Sequence, residues 1–281
     1  MAPMEATARG QPLVIKPQAG WVGVDFPELW RYRELLYFFT WRDLKVRYKQ
    51  TLLGAAWAVL QPVLAMVVFT IFFDRVAHVG SQGLPYPVFS YVALLPWYLF
   101  ANSLLLSSQS VVASANLVSK VYFPRVLLAL SPVAASLVDF VLGFSVLAAL
   151  MGYYGVEPAW LQVPAIVPLL LLVLATATGV GLWFSALNVR YRDVRYVLPF
   201  AIQIWLFASS VIVVPHFGEP WRTIYALNPM VGVVEGFRYA LLDAPAPGGA
   251  TLLVSSLSAL AILVSGVLYF RRTEDAFADV V

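Results

Sequence analysis

Long apolar runs separated by short polar segments dominate this chain from residue 52 onward. Each run is close to the length of about 20 residues that an α-helix needs to cross a bilayer core of about 30 Å. The runs cover residues 52–73, 87–112, 126–150, 162–187, 196–214 and 251–270. The pattern therefore predicts an all-α polytopic membrane protein with six transmembrane helices.

Composition supports this class, because 61% of the residues are hydrophobic and only 12% are charged, whereas soluble proteins have about 25% charged residues. The net charge of +3 is too small to suggest nucleic acid as a partner. With no cysteine, the chain has neither disulfides nor thiolate chemistry. Residues 1–27 are rich in proline without sustained periodicity, and we interpret them as a loosely ordered cytoplasmic lead-in.

Residues 28–50 predict an amphipathic helix in the membrane interface. On a helical wheel, one sector of about 80° collects charged residues, which are Arg31, Glu34, Arg42, Lys45 and Lys49. Asp43 and Arg47 lie outside it, with a spacing that would let them neutralise each other. A basic, aromatic-rich helix is typical of a membrane-surface anchor, and a docking or gating helix is a compatible alternative. The candidate interface or gate residues are Arg42, Lys45, Arg47 and Lys49.

The segment at 215–249 allows two topologies, since its apolar middle could form a seventh span or two short re-entrant helices. With six spans, every lysine and arginine except Arg75, Arg222 and Arg238 lies on the side of the two termini. Cytoplasmic segments are enriched in such cations, so we expect six spans, cytoplasmic termini and a re-entrant outer gate at 215–249. Such a segment must be buried in protein, because irregular backbone is not tolerated against lipid.

A polar stretch at 114–125 lies between the second and third spans. Its Lys120 and Arg125 are the only cations between residues 76 and 189. A short polar helix on the cytoplasmic side predicts a contact for a soluble partner.

The sequence gives little support to catalysis. His78 and His216 lie in separate outer loops, and neither an H-E-x-x-H site, a G-x-S-x-G turn nor a paired-carboxylate motif is present. No glycine is followed by lysine, which excludes a P-loop. We therefore assign neither catalytic nor metal-binding residues.

Asp139 is the one acid near the middle of a predicted span, where it costs about 3 kcal/mol of insertion free energy. We expect a structural hydrogen bond to Gln61, Asn102 or Gln203 on a neighbouring helix. A coupling-proton site is the alternative, although no second buried ionisable residue is evident to complete a relay.

Several motifs, in order, resemble the permease subunits of polysaccharide-exporting ABC transporters, which export O-antigen, capsule or teichoic acid. The matching stretches are 41–54 (WRDLKVRYKQTLLG), 57–62 (WAVLQP), 95–97 (LPW), 116–125 (NLVSKVYFPR), 185–195 (SALNVRYRDVR), 227–230 (LNPM) and 235–238 (EGFR). Together they extend the resemblance over residues 33–271, nearly the whole chain.

The resemblance implies a type-2 ABC exporter permease fold, in which 114–125 is a coupling helix contacted by an ATPase. It also implies a homodimer bound to two ATPase subunits, which would hold ATP and Mg. A lipid-linked polysaccharide, O-antigen above all, would cross the bacterial inner membrane through a channel at the dimer interface. The candidate coupling residues are Asn116, Lys120, Tyr122, Phe123 and Arg125.

Aromatic residues make up 15% of the chain, and most should form interfacial belts or pack against other helices. A subset could stack on the apolar faces of sugar rings. The candidate substrate-pathway residues are Trp97, Tyr98, Asn102, Trp205, Phe207, Trp221 and Tyr225.

Three other functions remain as alternatives. A drug- or lipid-exporting ABC permease would share the fold. A secondary transporter predicts several buried ionisable residues, inverted repeats and activity without an ATPase. A membrane-embedded glycan-modifying enzyme predicts clustered acids or histidines at one membrane face, which the sequence lacks.

Overall fold

The computed structural model describes residues 26–49, 54, 56–78, 80–81, 83–212, 218 and 220–277, and the regular structure in these ranges is helical. The α-helices are α1 (Phe26–Arg31), α2 (Arg33–Lys49), α3 (Ala56–Phe69), α4 (Tyr86–Ala113), α5 (Ala115–Val118), α6 (Val126–Tyr154), α7 (Ile166–Arg190), α8 (Val194–Phe207), α9 (Trp221–Tyr225), α10 (Pro229–Leu242) and α11 (Gly249–Thr273). A π-helix, Thr70–Val76, continues α3, and 3₁₀ turns at Val163–Ala165 and Glu274–Ala276 adjoin α7 and α11.

Five helical segments of the described chain are long and apolar enough to cross a bilayer. They are Ala56–Val76, Tyr86–Ala113, Val126–Tyr154, Val163–Arg190 and Gly249–Thr273. The prediction of an all-α membrane protein is thus confirmed.

The predicted fifth span, 196–214, is shorter in the structure. Helix α8 has 14 residues and a length of about 21 Å, less than the bilayer core, and the chain then turns at residues 208–212. Residues 213–217 lie outside the described ranges. The count of six spans therefore stays a prediction.

Helix α4 is the centre of the bundle. Its side chains are buried on nearly every side, including Tyr91, Phe100 and Leu104, and it packs against α3, α6, α7 and α10. Helix α11 packs instead along α7, where Gly179 faces Gly266. Small residues at such crossings let two helix backbones approach closely without a side chain between them.

The bundle has two chemically different ends. The basic end comprises α1, the start of α2, the segment 114–125, the turn 191–193 and the end of α11. The opposite end comprises the described residues between the π-helix and α4 (77–78, 80–81 and 83–85), the turns at 155–165, 208–212 and 243–248, and α9 and α10. Among the described lysines and arginines, only Arg75, Arg222 and Arg238 belong to the opposite end.

Two predicted helices differ from their expected extents. The helix expected at 28–50 is divided into α1 and α2 by a turn at Tyr32, and the lead-in lies outside the described residues up to residue 25. The coupling helix expected at 114–125 is a single turn, α5, followed by irregular chain up to Arg125. Pro124 explains part of this difference, because a proline disfavours the helical conformation at the preceding residue.

Candidate functional site

The segment 114–125 presents one set of its candidate residues outward and turns another set inward. Asn116, Lys120 and Tyr122 are exposed, with 63% of the Tyr122 side chain accessible. Phe123 is only 5% exposed and Arg125 is half-buried. The segment therefore offers a polar and aromatic surface while two of its side chains fix it to the bundle.

Phe123 and Arg125 fix the segment to different neighbours. The Phe123 ring lies edge-on to Phe39 of α2, with 5.5 Å between the ring centroids. The Arg125 guanidinium donates a hydrogen bond to the backbone carbonyl of Glu274, in the turn after α11. The segment thus joins α2 to the end of α11.

Ion pairs and aromatic packing complete this region, which we call the coupling junction (α1, the start of α2, residues 114–125 and residues 270–277). Arg271 lies 2.6 Å from the Glu274 carboxylate and 3.9 Å from that of Glu28 in α1. Phe277 is 2% exposed and lies edge-on to Phe270 at 5.2 Å. Sequence reasoning gave no role to residues 271–277, because nothing in their composition marks a long-range contact.

The Tyr122 phenol reports the electrostatics of the coupling junction. Its partial desolvation raises the pKa of Tyr122, and the nearby carboxylates of Glu28 and then Glu274 raise it further. Both carboxylates therefore lie close to the exposed face of the segment.

Helix α2 is tied to α6 by three polar contacts. Asp139, on α6, accepts hydrogen bonds from the Arg47 guanidinium and the Tyr48 hydroxyl, and Arg47 forms an ion pair with it. Nearer the basic end, Ser131 donates to the Asp43 carboxylate at 2.7 Å. Because Asp139 lies midway along α6, the C-terminal part of α2 reaches toward the middle of that span.

These contacts correct two expectations. Asp139 pairs with Arg47 and Tyr48 rather than with Gln61, Asn102 or Gln203. Asp43 and Arg47 do not pair with each other, since Asp43 lies 2.9 Å from the Arg42 guanidinium. Asp43 and Arg47, which lie outside the charged sector of the helical wheel, each have a polar partner on α6 instead.

The other candidate gate residues lie on the outer side of α2. Lys45 and Lys49 are exposed, and the Lys45 ammonium lies 5.5 Å from the centre of the Trp41 ring. Arg42 and Arg47 line a cavity of about 490 Å³ between α2 and the ends of α4 and α6. Both arginines already have carboxylate partners, Asp43 for Arg42 and Asp139 for Arg47.

Two candidate pathway residues, Tyr98 and Asn102 of α4, lie beside Asp139. All three line a cavity of about 20 Å³, which has room for about one water molecule. This cavity is far too small for a sugar, so any contact of Asn102 with substrate requires rearrangement of α3 or α6.

A second polar region, which we call the opposite-end cluster (Trp205, residues 208–212, Tyr225, Asn228, Glu235 and Arg238), surrounds a buried arginine. Arg238 of α10 is 2% exposed, and its guanidinium donates to the carbonyls of Ser210 and Val211 at 2.7 Å each. It also lies 3.9 Å from the centre of the Phe89 ring of α4. The expectation of no further buried ionisable residue is therefore wrong.

Hydrogen bonds in the opposite-end cluster hold the turn after α8 against α9 and α10. The Tyr225 hydroxyl accepts from the Ser210 amide at 2.8 Å, and the Ser210 hydroxyl lies 3.4 Å from the Glu235 carboxylate. Asn228 donates to the Ala208 carbonyl at 2.6 Å and accepts from the Trp205 indole at 2.9 Å. Trp205 and Tyr225 therefore serve as structural partners here.

The remaining pathway candidates are divided by burial. Trp97 is 3% exposed and packs beside Phe100 in the core, so it has no open face for a sugar. Phe207 and Trp221 are exposed, at 68% and 65%. Their roles in substrate contact stay predictions.

Neither histidine contributes to a described site. His78 is exposed, and His216 lies outside the described ranges. Among the described residues, no group of three or more histidine or carboxylate side chains is arranged to hold a metal ion.

The comparison with known families decides the classification. The family of ABC-2 type transporters, defined by its membrane domain, matches residues 34–242. The chain belongs to that family. The matched range contains α2 after its first residue, the segment 114–125, the α2–α6 contacts and the opposite-end cluster.

Curated relatives in this ABC-2 family extend the match over almost the whole chain. The O-antigen export system permease protein RfbA of Myxococcus xanthus is 30% identical over 257 residues, covering 90% of this chain and 97% of the relative. A protein of the same name from Klebsiella pneumoniae is 27% identical over 249 residues, covering 88% and 95%. The polysialic acid transport protein KpsM of Escherichia coli is 25% identical over 244 residues, covering 84% and 92%.

Proposed function

We propose that this chain is the permease subunit of an ATP-driven ABC transporter that exports a lipid-linked polysaccharide, with O-antigen as the foremost candidate. The full-length similarity to the O-antigen export permease of Myxococcus xanthus carries the proposal. The similarity to a polysialic acid transport protein supports a polysaccharide rather than a drug or a simple lipid as cargo.

The separation of exposed from buried side chains in the segment 114–125 supports an ATPase as the partner. Lys120 and Tyr122 face outward while Phe123 and Arg125 hold the bundle, so a force on the exposed face reaches α2 and α11. We propose a homodimer of this chain, with a channel at its interface, bound to two ATPase subunits that hold ATP and Mg.

The charge distribution supports an orientation with the basic end in the cytoplasm. Cytoplasmic loops of membrane proteins carry an excess of lysine and arginine, and among those described only Arg75, Arg222 and Arg238 belong to the opposite end. The chain would then lie in the bacterial inner membrane with both termini in the cytoplasm, and α9 and α10 would close the outer end.

The proposed cycle begins when nucleotide binding closes the ATPase pair. The closure moves the segment 114–125 and, through its ends, α4 and α6. Helix α2, tied to α6 at Asp139, shifts with α6 and admits the lipid-linked end of the polymer. Repeated weak contacts with sugar rings would suit processive movement, because a glycan has no single charge to grip.

A double substitution tests the partner. We expect Lys120→Glu with Phe123→Ala to abolish export or co-purification with the ATPase, while the chain still inserts in the membrane. Arg75→Glu, which reverses an exposed cation at the opposite end, is the matched control and should preserve both. Normal export and normal ATPase binding by the double variant would contradict the proposed contact.

The substrate is tested in cells that lack this chain. We expect one lipid-linked polymer to accumulate inside such cells and to reach the surface again when the chain is restored. Undisturbed export of every surface polysaccharide, or transport by the purified chain without an ATPase, would contradict the proposal.

A further inference from the structure

Helix α11 connects the coupling junction with the helices proposed to close the outer end. We propose that α11 is a lever that carries displacement of the coupling segment to α9 and α10, pivoting where α11 crosses α7. The inference rests on the proposed function, because it assumes that an ATPase moves the segment 114–125.

The first attachment lies at the basic end. Arg125 donates to the Glu274 carbonyl, and Phe277 is buried against Phe270, the last aromatic residue of α11. A displacement of the coupling segment therefore pulls, through the Arg125 hydrogen bond, on the turn after α11, and the packing of Phe277 on Phe270 holds that turn against the helix.

The pivot is the crossing of α11 with α7. A Cβ at Gly179 would lie 2.7 Å from the backbone of Ile262, and one at Gly266 would collide with the Gly179 carbonyl. The two backbones are in direct contact at this point. We take this crossing as the pivot, because no side chain lies between the two helices here.

The second attachment lies at the opposite end. The Ser255 hydroxyl donates to the Ala226 carbonyl at 2.9 Å, and the Ser258 hydroxyl donates to the Leu227 carbonyl at 2.6 Å. Both carbonyls belong to the turn that joins α9 to α10. Gly232 of α10 also packs against Ser255, where a Cβ would lie 2.6 Å from the hydroxyl oxygen.

The arms of the lever are of similar length. At 1.5 Å per residue, Gly266 lies about 12 Å from Glu274 at the basic end, and about 12 and 16 Å from Ser258 and Ser255 at the other. A tilt at the basic end thus becomes a displacement of comparable size in the turn between α9 and α10.

The surroundings of α11 allow such a tilt. Leu253, Leu257, Leu260 and Val264 are all more than half exposed, so one side of the helix has no packed neighbour in the described chain. Helix α4 also runs between the two ends, but it is enclosed by other helices. Packed interfaces transmit motion between discrete arrangements, and an open side leaves α11 space to adopt a second one.

A single-cysteine reporter tests the lever, and the chain contains no native cysteine to interfere. Ile224→Cys places a thiol on α9 at a side chain that is 52% exposed. Maleimide labelling is measured in the complex with its ATPase, in the nucleotide-free state and in a nucleotide-trapped state. We expect the thiol to react at different rates in the two nucleotide states. Phe277→Ala should abolish that difference in complexes that are trapped to the same extent.

Two further variants separate the lever from a general loss of structure. Phe277→Leu keeps an apolar side chain and should restore most of the difference, whereas Leu253→Ala, on the open side of α11, should leave it unchanged. Labelling that still responds to nucleotide in Phe277→Ala overturns the lever. Equal labelling rates in the two nucleotide states of the Ile224→Cys chain without further substitutions also overturn it, because α9 and α10 would then not respond to nucleotide.

The outcome is distinct from that of the proposed function. If the lever fails but the complex still binds its ATPase and exports the polymer, only the role of α11 is lost. If cells lacking this chain export every polysaccharide normally, the proposed function fails first.

Discussion

Each end of the molecule uses an arginine to hold irregular chain through backbone carbonyls, but in different surroundings. At the basic end, Arg125 is half-buried and donates to Glu274, close to the exposed Tyr122. At the opposite end, Arg238 is 2% exposed, donates to Ser210 and Val211, and lies over the Phe89 ring. The first arginine belongs to a surface that a partner can reach, and the second to the interior.

The difference indicates how each end can move. The coupling junction includes the exposed Tyr122 and the partly exposed Glu28–Arg271 pair, a contact that can exchange at little cost in free energy. The opposite-end cluster has no such freedom, because a buried arginine that loses its acceptors is strongly destabilised. We therefore expect α9 and α10 to move together with the turn after α8, as one unit.

Removing the buried arginine should have the largest effect. We expect Arg238→Leu to lower the free energy of unfolding by about 3–5 kcal/mol, because the carbonyls of Ser210 and Val211 lose their donor. The midpoint of thermal unfolding in detergent measures the loss. Arg75→Leu is the control, and an equal effect of both substitutions would show that burial of Arg238 contributes nothing.

Phe123 and Tyr122 separate anchoring from contact within one segment. We expect Phe123→Ala to cost about 3 kcal/mol, since it leaves a cavity beside Phe39, whereas Tyr122→Ala should cost less than about 0.5 kcal/mol. Binding of the ATPase should show a loss with Tyr122→Ala despite its unchanged thermal midpoint. If Tyr122→Ala lowered the thermal midpoint more than Phe123→Ala, the assignment of Phe123 as the buried anchor and Tyr122 as the exposed contact would be contradicted.

Neutralising Asp139 tests whether its contacts hold α2 against α6. We expect Asp139→Asn to cost about 2 kcal/mol, because Arg47 and Tyr48 lose a charged acceptor. Limited proteolysis after α2 should become faster in the variant. Asp43→Asn, which keeps an acceptor for Ser131, is the control and should have a smaller effect. Equal proteolysis rates for Asp139→Asn and the parent chain would show that Asp139 does not hold α2 against α6.

The ion pairs of Arg271 in the coupling junction should matter least. We expect Arg271→Gln to cost about 1 kcal/mol at low salt and less at high salt, because glutamine can still donate to Glu274 and because the Glu28 carboxylate, 3.9 Å away, is partly accessible to solvent. Thermal midpoints at two ionic strengths check this. A loss that is insensitive to salt would place Arg271 with the buried arginine instead.

Much of the architecture follows from the sequence, because hydrophobic length alone marks α3, α4, α6, α7 and α11 as membrane helices. The position of the segment 114–125 follows from its isolated cations. Which of its side chains are buried does not follow from the sequence, because the burial of Phe123 depends on Phe39, far away in the chain.

Long-range polar partners were not predictable for the same reason. The charge count placed Arg238 among the outer cations, whereas the structure buries it on carbonyls of a turn 27 and 28 residues earlier. Helical periodicity marked Asp43 and Arg47 as exceptions, but it contains no information about Ser131 or Asp139 on another helix. Helical periodicity identifies the polar and apolar faces of a helix, but the residues that contact each face are known only from the tertiary fold.

The most direct test of the account uses inside-out membrane vesicles loaded with the lipid-linked polymer on their outer surface. We expect the polymer to become protected from an added glycosidase only when this chain, its ATPase and hydrolysable ATP are all present. Lys120→Glu should remove that protection. Protection without this chain, or without a functional ATPase, would contradict the assignment of the chain as the permease of an ATP-driven polysaccharide exporter.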